Sequence, residues 1–206
     1  MPVNTTVTTL EQLQALYGQV HERSLRKEIA CLSEPYRALV AASPFVVLAT
    51  CGADGLDCSP RGDAPGFVRV VDERTLLLPD RPGNNRIDSL RNILHDPHVA
   101  LLFLIPGVGE SFRVNGRASI CVDPALLELC SAQGKLPRSV LRISVDTCYF
   151  QCSKAAVRSG LWEAERHVER SSLPSAGDML KSVMDAQFDV QVYERELQER
   201  LKTLLY

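Results

Sequence analysis

Between Phe45 and Gln151 the chain repeats one pattern, a short apolar and often β-branched run closed by a turn signal. The runs are Phe45–Thr50, Leu56–Pro60, Phe67–Val71, Thr75–Leu78, Val99–Ile105, Phe112–Val122 and Val140–Gln151. The first ends in Gly52-Ala53-Asp54-Gly55, a two-strand hairpin signal. Only two helical segments interrupt the series. One spans about 86–94, with Ile87, Leu90 and Leu94 on one face, and the other about 124–132, capped by Asp123. A doubly wound parallel sheet needs a helix after nearly every strand, so it does not fit. An antiparallel barrel closing on itself does.

The flanks read as helical. Thr9 can cap a short helix through Leu10, Leu13 and Leu16, and a second runs from about Val20 to Leu32. Ser33-Glu34-Pro35 restarts a helix, with a hydroxyl at the cap and proline in the first turn, where its missing donor costs nothing. After Trp162 a polar stretch through Pro174 reads as a loop. A carboxy-terminal helix follows, with Val190, Tyr193, Leu197, Leu201 and Leu204 on one stripe and Glu196 and Arg200 at supportive i,i+4 spacing. That stripe is expected to dock within its own chain. At 206 residues the expected organisation is one domain over 43–162, with helical extensions at 1–42 and 163–206. A chain of this size builds a core without disulfides or metals.

Net charge is -2, which gives no long-range pull toward nucleic acid or an anionic membrane. The opening MPVNTTVTTLEQLQ lacks the basic cluster and apolar run of a secretory signal, and the apolar runs are strand-sized, so a cytoplasmic protein is expected. The cysteines (31, 51, 58, 121, 130, 148 and 152) have no C-x-x-C spacing for zinc. Buried reduced thiols are expected. Cys148 and Cys152, four apart on a strand, stand about 13 Å from each other, too far for a disulfide.

Pro79-Asp80-Arg81-Pro82-Gly83-Asn84-Asn85-Arg86 leaves a strand and enters a helix. Gly83 and the asparagines permit a tight turn, and either asparagine can cap the helix. The first helical turn leaves N–H groups unpaired at the positive end of the dipole. Arg81 and Arg86 add guanidinium forks that fit phosphate oxygens. The segment therefore reads either as a phosphate site or as a solvated loop whose arginines pair with Asp80 and Asp88. It lacks the G-x-x-x-x-G-K-[ST] pattern of a nucleoside-triphosphatase loop.

A second segment, Asp57-Cys58-Ser59-Pro60-Arg61-Gly62-Asp63-Ala64-Pro65-Gly66-Phe67, carries prolines that confine it to an edge, a bend or a barrel rim. Ser59, Arg61 and Asp63 alternate, so in an extended chain they point the same way. They either read a polar aromatic ring system or form a surface Arg61–Asp63 ion pair.

Four stretches together, SPRGDAPGFVRV, TLLLPDRPGNNRIDSLRNIL, DPHVALLFLIPG and ESFRVNGRA, strongly resemble the pyridoxamine 5′-phosphate oxidase-like flavoproteins from about Ser43 to Trp162. The resemblance implies a six-stranded antiparallel split barrel, predominantly β with flanking helices, and a homodimer with FMN at the subunit interface. It implies that Asn84, Asn85 and Arg86 hold the FMN phosphate with Asp80 and Arg81 alongside. Ser59, Pro60, Arg61 and Gly62 would lie along the isoalloxazine ring. The family's R-Q-V-x-V-x-G strand corresponds to Ser111–Gly116, with Ser111 in place of the glutamine and Arg113 as a substitute contact. Lys154 and Trp162, from the segment beginning at Cys152, would complete the shell from the second subunit.

The oxidases proper carry an Arg-x-His pair after a late tryptophan; here Trp162 is followed by adjacent Arg166 and His167, which does not reproduce that substrate site. His95, His98 and His167 read as surface residues, and no metal site is expected. In a flavoprotein the cofactor supplies the chemistry, and no catalytic acid or base is assigned. The expected function is an FMN-dependent oxidoreductase acting on an unidentified small molecule. The alternatives are a non-catalytic protein that binds, stores or senses a flavin, haem or deazaflavin, and a structural dimer that keeps only the scaffold.

Overall fold

A computed structural model describes residues 6–184, 187–203 and 205–206. The strands are β1 (Phe45–Gly52), β2 (Gly55–Gly62), β3 (Arg69–Val70), β4 (Thr75–Asp80), β5 (His98–Leu104), β6 (Ser111–Cys121) and β7 (Ser139–Gln151). They form one antiparallel sheet of seven strands in the order β2-β1-β5-β6-β7-β4-β3. The fold is thus mostly β with flanking helices, as expected, but the expected six-stranded closed barrel needs correction. The short β3 adds a seventh strand, and β2 and β3 end the order as edges with no ladder between them among the described residues.

Alternation sets the register. Val46 and Leu48 on β1, Leu101 and Phe103 on β5, Phe112 and Val114 on β6, and Ile143 on β7 all point into one buried core. A one-residue slip would turn each of these to solvent. The helix α3 (Glu34–Ala42) covers that core: Val40 is buried and the Tyr36 ring lies 5.0 Å from Phe112. Gly116 marks a register shift between β6 and β7, where an added Cβ would meet the Ser144 carbonyl oxygen 2.2 Å away. Only glycine allows the two backbones to approach so closely.

Several local expectations hold. Gly52 pairs with Gly55 across the predicted hairpin, Thr9 caps α1 (Leu10–Leu16), and the Asp123 carboxylate accepts from Ala125 and Leu126 N–H at the start of α5 (Pro124–Leu129). Others give way to tertiary contacts. The second helix shrinks to α2 (Glu22–Arg26) because Ile29 pairs its backbone with Cys148, N–H to carbonyl in both directions. Ser33 does occupy the cap of α3, but its hydroxyl makes no capping bond. The helix expected over 86–94 is α4 (Asp88–His95), and it buries Ser89 and Ile93 while Ile87 and Leu94 stay exposed. The seven cysteines are free, as expected, but only Cys130 and Cys148 are buried, while Cys58 and Cys152 are exposed. The stretch after Trp162 contains short 3-10 turns at Ala164–Arg166 and Arg170–Ser172. The carboxy-terminal helix α8 (Val190–Thr203) packs on α7 (Ala176–Lys181) of its own chain but buries none of its own residues, and Leu201 of the expected stripe is exposed. Leu204 of that stripe lies outside the described residues.

Candidate functional site

β2 runs along the sheet edge with Asp57, Ser59 and Arg61 half-buried on one side and Leu56, Cys58, Pro60 and Gly62 exposed on the other, as the alternation predicts. β4 ends at Asp80, which pairs with Ser139 at the start of β7. Residues 81–87 then turn into α4. Together these pieces enclose a cleft of about 550 Å³, lined by both sequence segments singled out above and by Arg138 and Ser139.

The turn into α4 is held in an unusual conformation. Asn85 and Ile87 both adopt left-handed backbone angles, φ 59° and 55°. For asparagine that is tolerable, but for a β-branched residue it costs on the order of 1–3 kcal/mol. Two bonds help maintain the turn: Asn84 Oδ1 accepts from Arg86 N–H at 3.0 Å, and Arg138 Nη1 donates to Asn85 Oδ1 at 2.7 Å. The asparagines therefore shape the loop and do not cap the helix, whose cap position is Ile87. The N–H groups of Asp88, Ser89 and Leu90 sit in the first turn beside the cleft, at the positive end of the helix.

Charge is arranged in crossed pairs. Arg61 Nη1 bonds Asp80 Oδ1 at 2.7 Å, and Arg81 Nε bonds Asp63 Oδ2 at 2.8 Å. Each arginine thus pairs with an aspartate of the other segment, not with the Asp63 or Asp80 of its own segment. The two pairs tie the end of β2 to the end of β4. Arg86 pairs with Asp88 at 2.7 Å, as the solvated-loop alternative expected, and that bond raises the guanidinium pKa above its ordinary value. Ser89 Oγ, buried, donates to Asp57 Oδ2 at 3.0 Å. Burial alone would raise the Asp63 carboxyl, but bonds from the Tyr206 hydroxyl, the Ala64 N–H and Arg81 outweigh it and hold its pKa below the usual range. The same hydrogen bond, 2.6 Å long, raises the Tyr206 phenol.

Two groups in the cleft have unused capacity toward an anion or a polar ring. Arg61 Nε is buried with no hydrogen-bond partner among the described residues. A buried donor left unpaired costs about 1–3 kcal/mol, so it fits a site completed by an acceptor. The Arg138 guanidinium carries no carboxylate partner among the described residues and bonds only the neutral Asn85 side chain. Sequence reasoning missed Arg138, Asp57 and Ser89; Arg138 reaches the cleft only through the β4–β7 pairing, which no local signal reveals.

Of the residues expected around the cofactor, Ser59, Pro60, Arg61, Gly62, Asp80, Arg81, Asn84, Asn85 and Arg86 all line this cleft. Ser111, Arg113, Lys154 and Trp162 do not. Ser111 pairs with Gln151 at the far end of β7, about 40 Å from Ser139 at the rise of an extended strand. Arg113 donates to the Tyr149 hydroxyl at 2.9 Å, Trp162 Nε1 donates to the Val108 carbonyl at 2.8 Å, and Lys154 opens α6 (Lys154–Ser159). Within one chain these residues lie away from the cleft.

A family model described as pyridoxamine 5′-phosphate oxidase matches residues 32–152, more than half of the chain. The chain belongs to the pyridoxamine 5′-phosphate oxidase family. The match contains every residue that lines the cleft and stops short of Lys154, Trp162 and Tyr206. Similar solved structures include a HupZ protein of Group A Streptococcus, with 20% identity over 59% of this chain and 94% of that one and a TM-score of 0.48. A putative pyridoxamine 5′-phosphate oxidase of Lactobacillus delbrueckii shares 22% identity over 59% and 95%, with a TM-score of 0.45. An FAD binding protein of Mycobacterium smegmatis shares 17% over 60% and 97%, with a TM-score of 0.42. Membership of the family rests on the family model, not on these superpositions. No curated protein matches. Among the described residues no helix is long and apolar enough to cross a membrane, and no group of side chains could hold a metal ion.

Proposed function

We propose that this member of the pyridoxamine 5′-phosphate oxidase family is an FMN-dependent oxidoreductase whose cleft between β2, β4 and α4 holds the cofactor. The observation that carries the reading is the unpaired Arg61 Nε in the same cleft as Arg138 and the first-turn N–H groups of α4. A ring nitrogen or carbonyl oxygen satisfies the first, and a phosphate fits the second and third. Bound FMN would supply the hydride or electron transfer. The protein's part is to orient and to exclude water. Arg138, Arg86 and the α4 amides grip the phosphate, Asn84 and Asn85 fix the turn that presents those amides, and Ser59 and Arg61 face the ring. A guanidinium beside the ring also favours negative charge developing on it.

The homodimer belongs to the same proposal. Ser111, Arg113, Lys154 and Trp162 lie too far from their own cleft to serve it, and a second copy can bring them to it. The segments at 1–42 and 163–206 are then extensions of a single 43–162 domain. Non-catalytic flavin holding is the second reading, favoured by a cleft whose described lining contains no histidine to move protons.

The test is reduction of the FMN-loaded protein by NADH or NADPH, followed by transfer to an added acceptor. Flavin bleaching with turnover supports the oxidoreductase. FMN that binds but accepts no electrons from either donor turns the reading to holding, and a protein that takes up no FMN removes both.

A further inference from the structure

Tyr206 returns from the end of α8 into a socket built from three separate loops. Its hydroxyl donates to Asp63 Oδ1 at 2.6 Å, its ring lies 5.7 Å from the Arg81 guanidinium carbon, and its backbone carbonyl accepts from Lys135 Nζ at 2.9 Å. Asp63 is the acid that pairs with Arg81, and Arg81 is part of the cleft wall. The Asp63 side chain is only 4% exposed, so its oxygens are spoken for by these neighbours.

The occupancy of Asp63 decides what Arg81 can do. A carboxylate with both oxygens available takes an arginine in a two-point fork. Here Oδ1 already accepts from the Tyr206 hydroxyl and from the Ala64 N–H at 2.7 Å. Arg81 therefore engages Oδ2 through Nε alone, and its two terminal nitrogens bond no described residue. The phenol face also rests against the guanidinium, an attraction that limits its swing.

We infer that Tyr206 is a positioning residue: by occupying Asp63 Oδ1 and stacking on Arg81, it keeps the Arg81 terminal N–H groups free for the phosphate of a bound nucleotide. The inference rests on the flavin-phosphate reading above and adds to it a contact from outside the stretch matched by the family model. Tyr206 itself touches no ligand; it acts through Asp63 and Arg81.

The experiment titrates FMN and riboflavin, by quenching of flavin fluorescence, against the native protein, Tyr206→Phe and Tyr206→Ala. Tyr206→Phe keeps the ring and removes the donor, so Asp63 Oδ1, left with the Ala64 N–H alone, has one acceptor position open for a second bond from Arg81. FMN affinity is expected to fall about fivefold, the worth of one hydrogen bond, while riboflavin is unchanged. Tyr206→Ala is expected to lose more, again for FMN only. Lys135→Ala, which frees the carbonyl anchor, is expected to shift FMN in the same direction by a smaller factor. If the native protein prefers FMN and the Tyr206 variants keep that preference or strengthen it, the inference fails. It also fails if both ligands weaken together as thermal stability drops, the mark of a structural contact. A native protein that binds neither ligand refutes the flavin reading instead.

Discussion

Replacing Arg138 by alanine separates the phosphate reading from the solvated-loop reading most sharply. Arg81 and Arg86 already have carboxylate partners, whereas among the described residues the Arg138 guanidinium bonds only the Asn85 side chain. A phosphate that recruits Arg86 must compete with Asp88; one that recruits Arg138 displaces a neutral amide. A hydrogen bond to a charged partner contributes about 1.5–3 kcal/mol. Because Arg138 is exposed, the lower end applies, and FMN affinity should fall at least about tenfold. Loss of the bond to Asn85 also loosens a turn held in the left-handed region, which adds to the effect. Arg86→Ala should do less, since Arg86 is already engaged by Asp88 and must give up that bond to serve a phosphate. Arg138→Lys should fall between native and alanine, keeping the charge but not the fork. The assay is a paired titration of FMN and riboflavin, with riboflavin indifferent to all three variants. Equal losses for both ligands, or no loss for Arg138→Ala, would refute the reasoning.

Other expectations concern the scaffold and the second subunit. Gly116→Ala should destabilise the fold by about 1–3 kcal/mol or more in a urea titration, because its Cβ would strike the Ser144 carbonyl rather than a side chain that can turn aside. The Asp63 carboxyl has a lowered pKa in the folded state, so its contribution is full above the ordinary aspartate value near 3.8 and is lost as pH falls through the lower folded value. Asp63→Asn should flatten the stability curve below that pH and leave its shape near neutrality unchanged. Burial pushes the Cys148 thiol up to about 11, so at mildly alkaline pH iodoacetamide should label Cys58 and Cys152 and spare Cys148 until the protein unfolds. If the cleft is shared between subunits, mixing Arg138→Ala with Lys154→Ala chains should restore one intact site per mixed dimer. FMN binding that stays lost after subunit exchange would argue against the shared site.

The parts of the site that were legible in the sequence are those set by local rules. Alternation along an extended strand put Ser59 and Arg61 on the cleft side, with Asp63 just past the strand's end, and a strand leading through Gly83 and two asparagines into a helix announced the turn at Arg81–Arg86. What stayed hidden depends on which strands pair. The crossed Arg61–Asp80 and Arg81–Asp63 bridges exist because β2 and β4 end beside each other, though they are not paired neighbours in the sheet. Arg138 arrives through the β4–β7 ladder, and Tyr206 lies 143 residues from its acceptor. Helix periodicity held only in part at α4: Leu90 packs against the core, but the left-handed Ile87 delays the helix start, so Ser89 and Ile93 are the buried positions while Ile87 and Leu94 stay exposed. Apolar neighbours in the sequence also gave a poor guide to the cysteines, since Cys121 sits where β6 runs out of the core and Cys58 on the outward side of an edge strand.

The central claim is that the cleft grips the phosphate of a flavin nucleotide, and identifying the chromophore released from the purified protein by denaturation tests it most directly. The account predicts FMN, recognised by mass, at about one per chain in the native protein and depleted in the Arg138→Ala variant. A colourless protein that stays colourless after incubation with FMN, or a released chromophore without a phosphate, would contradict it.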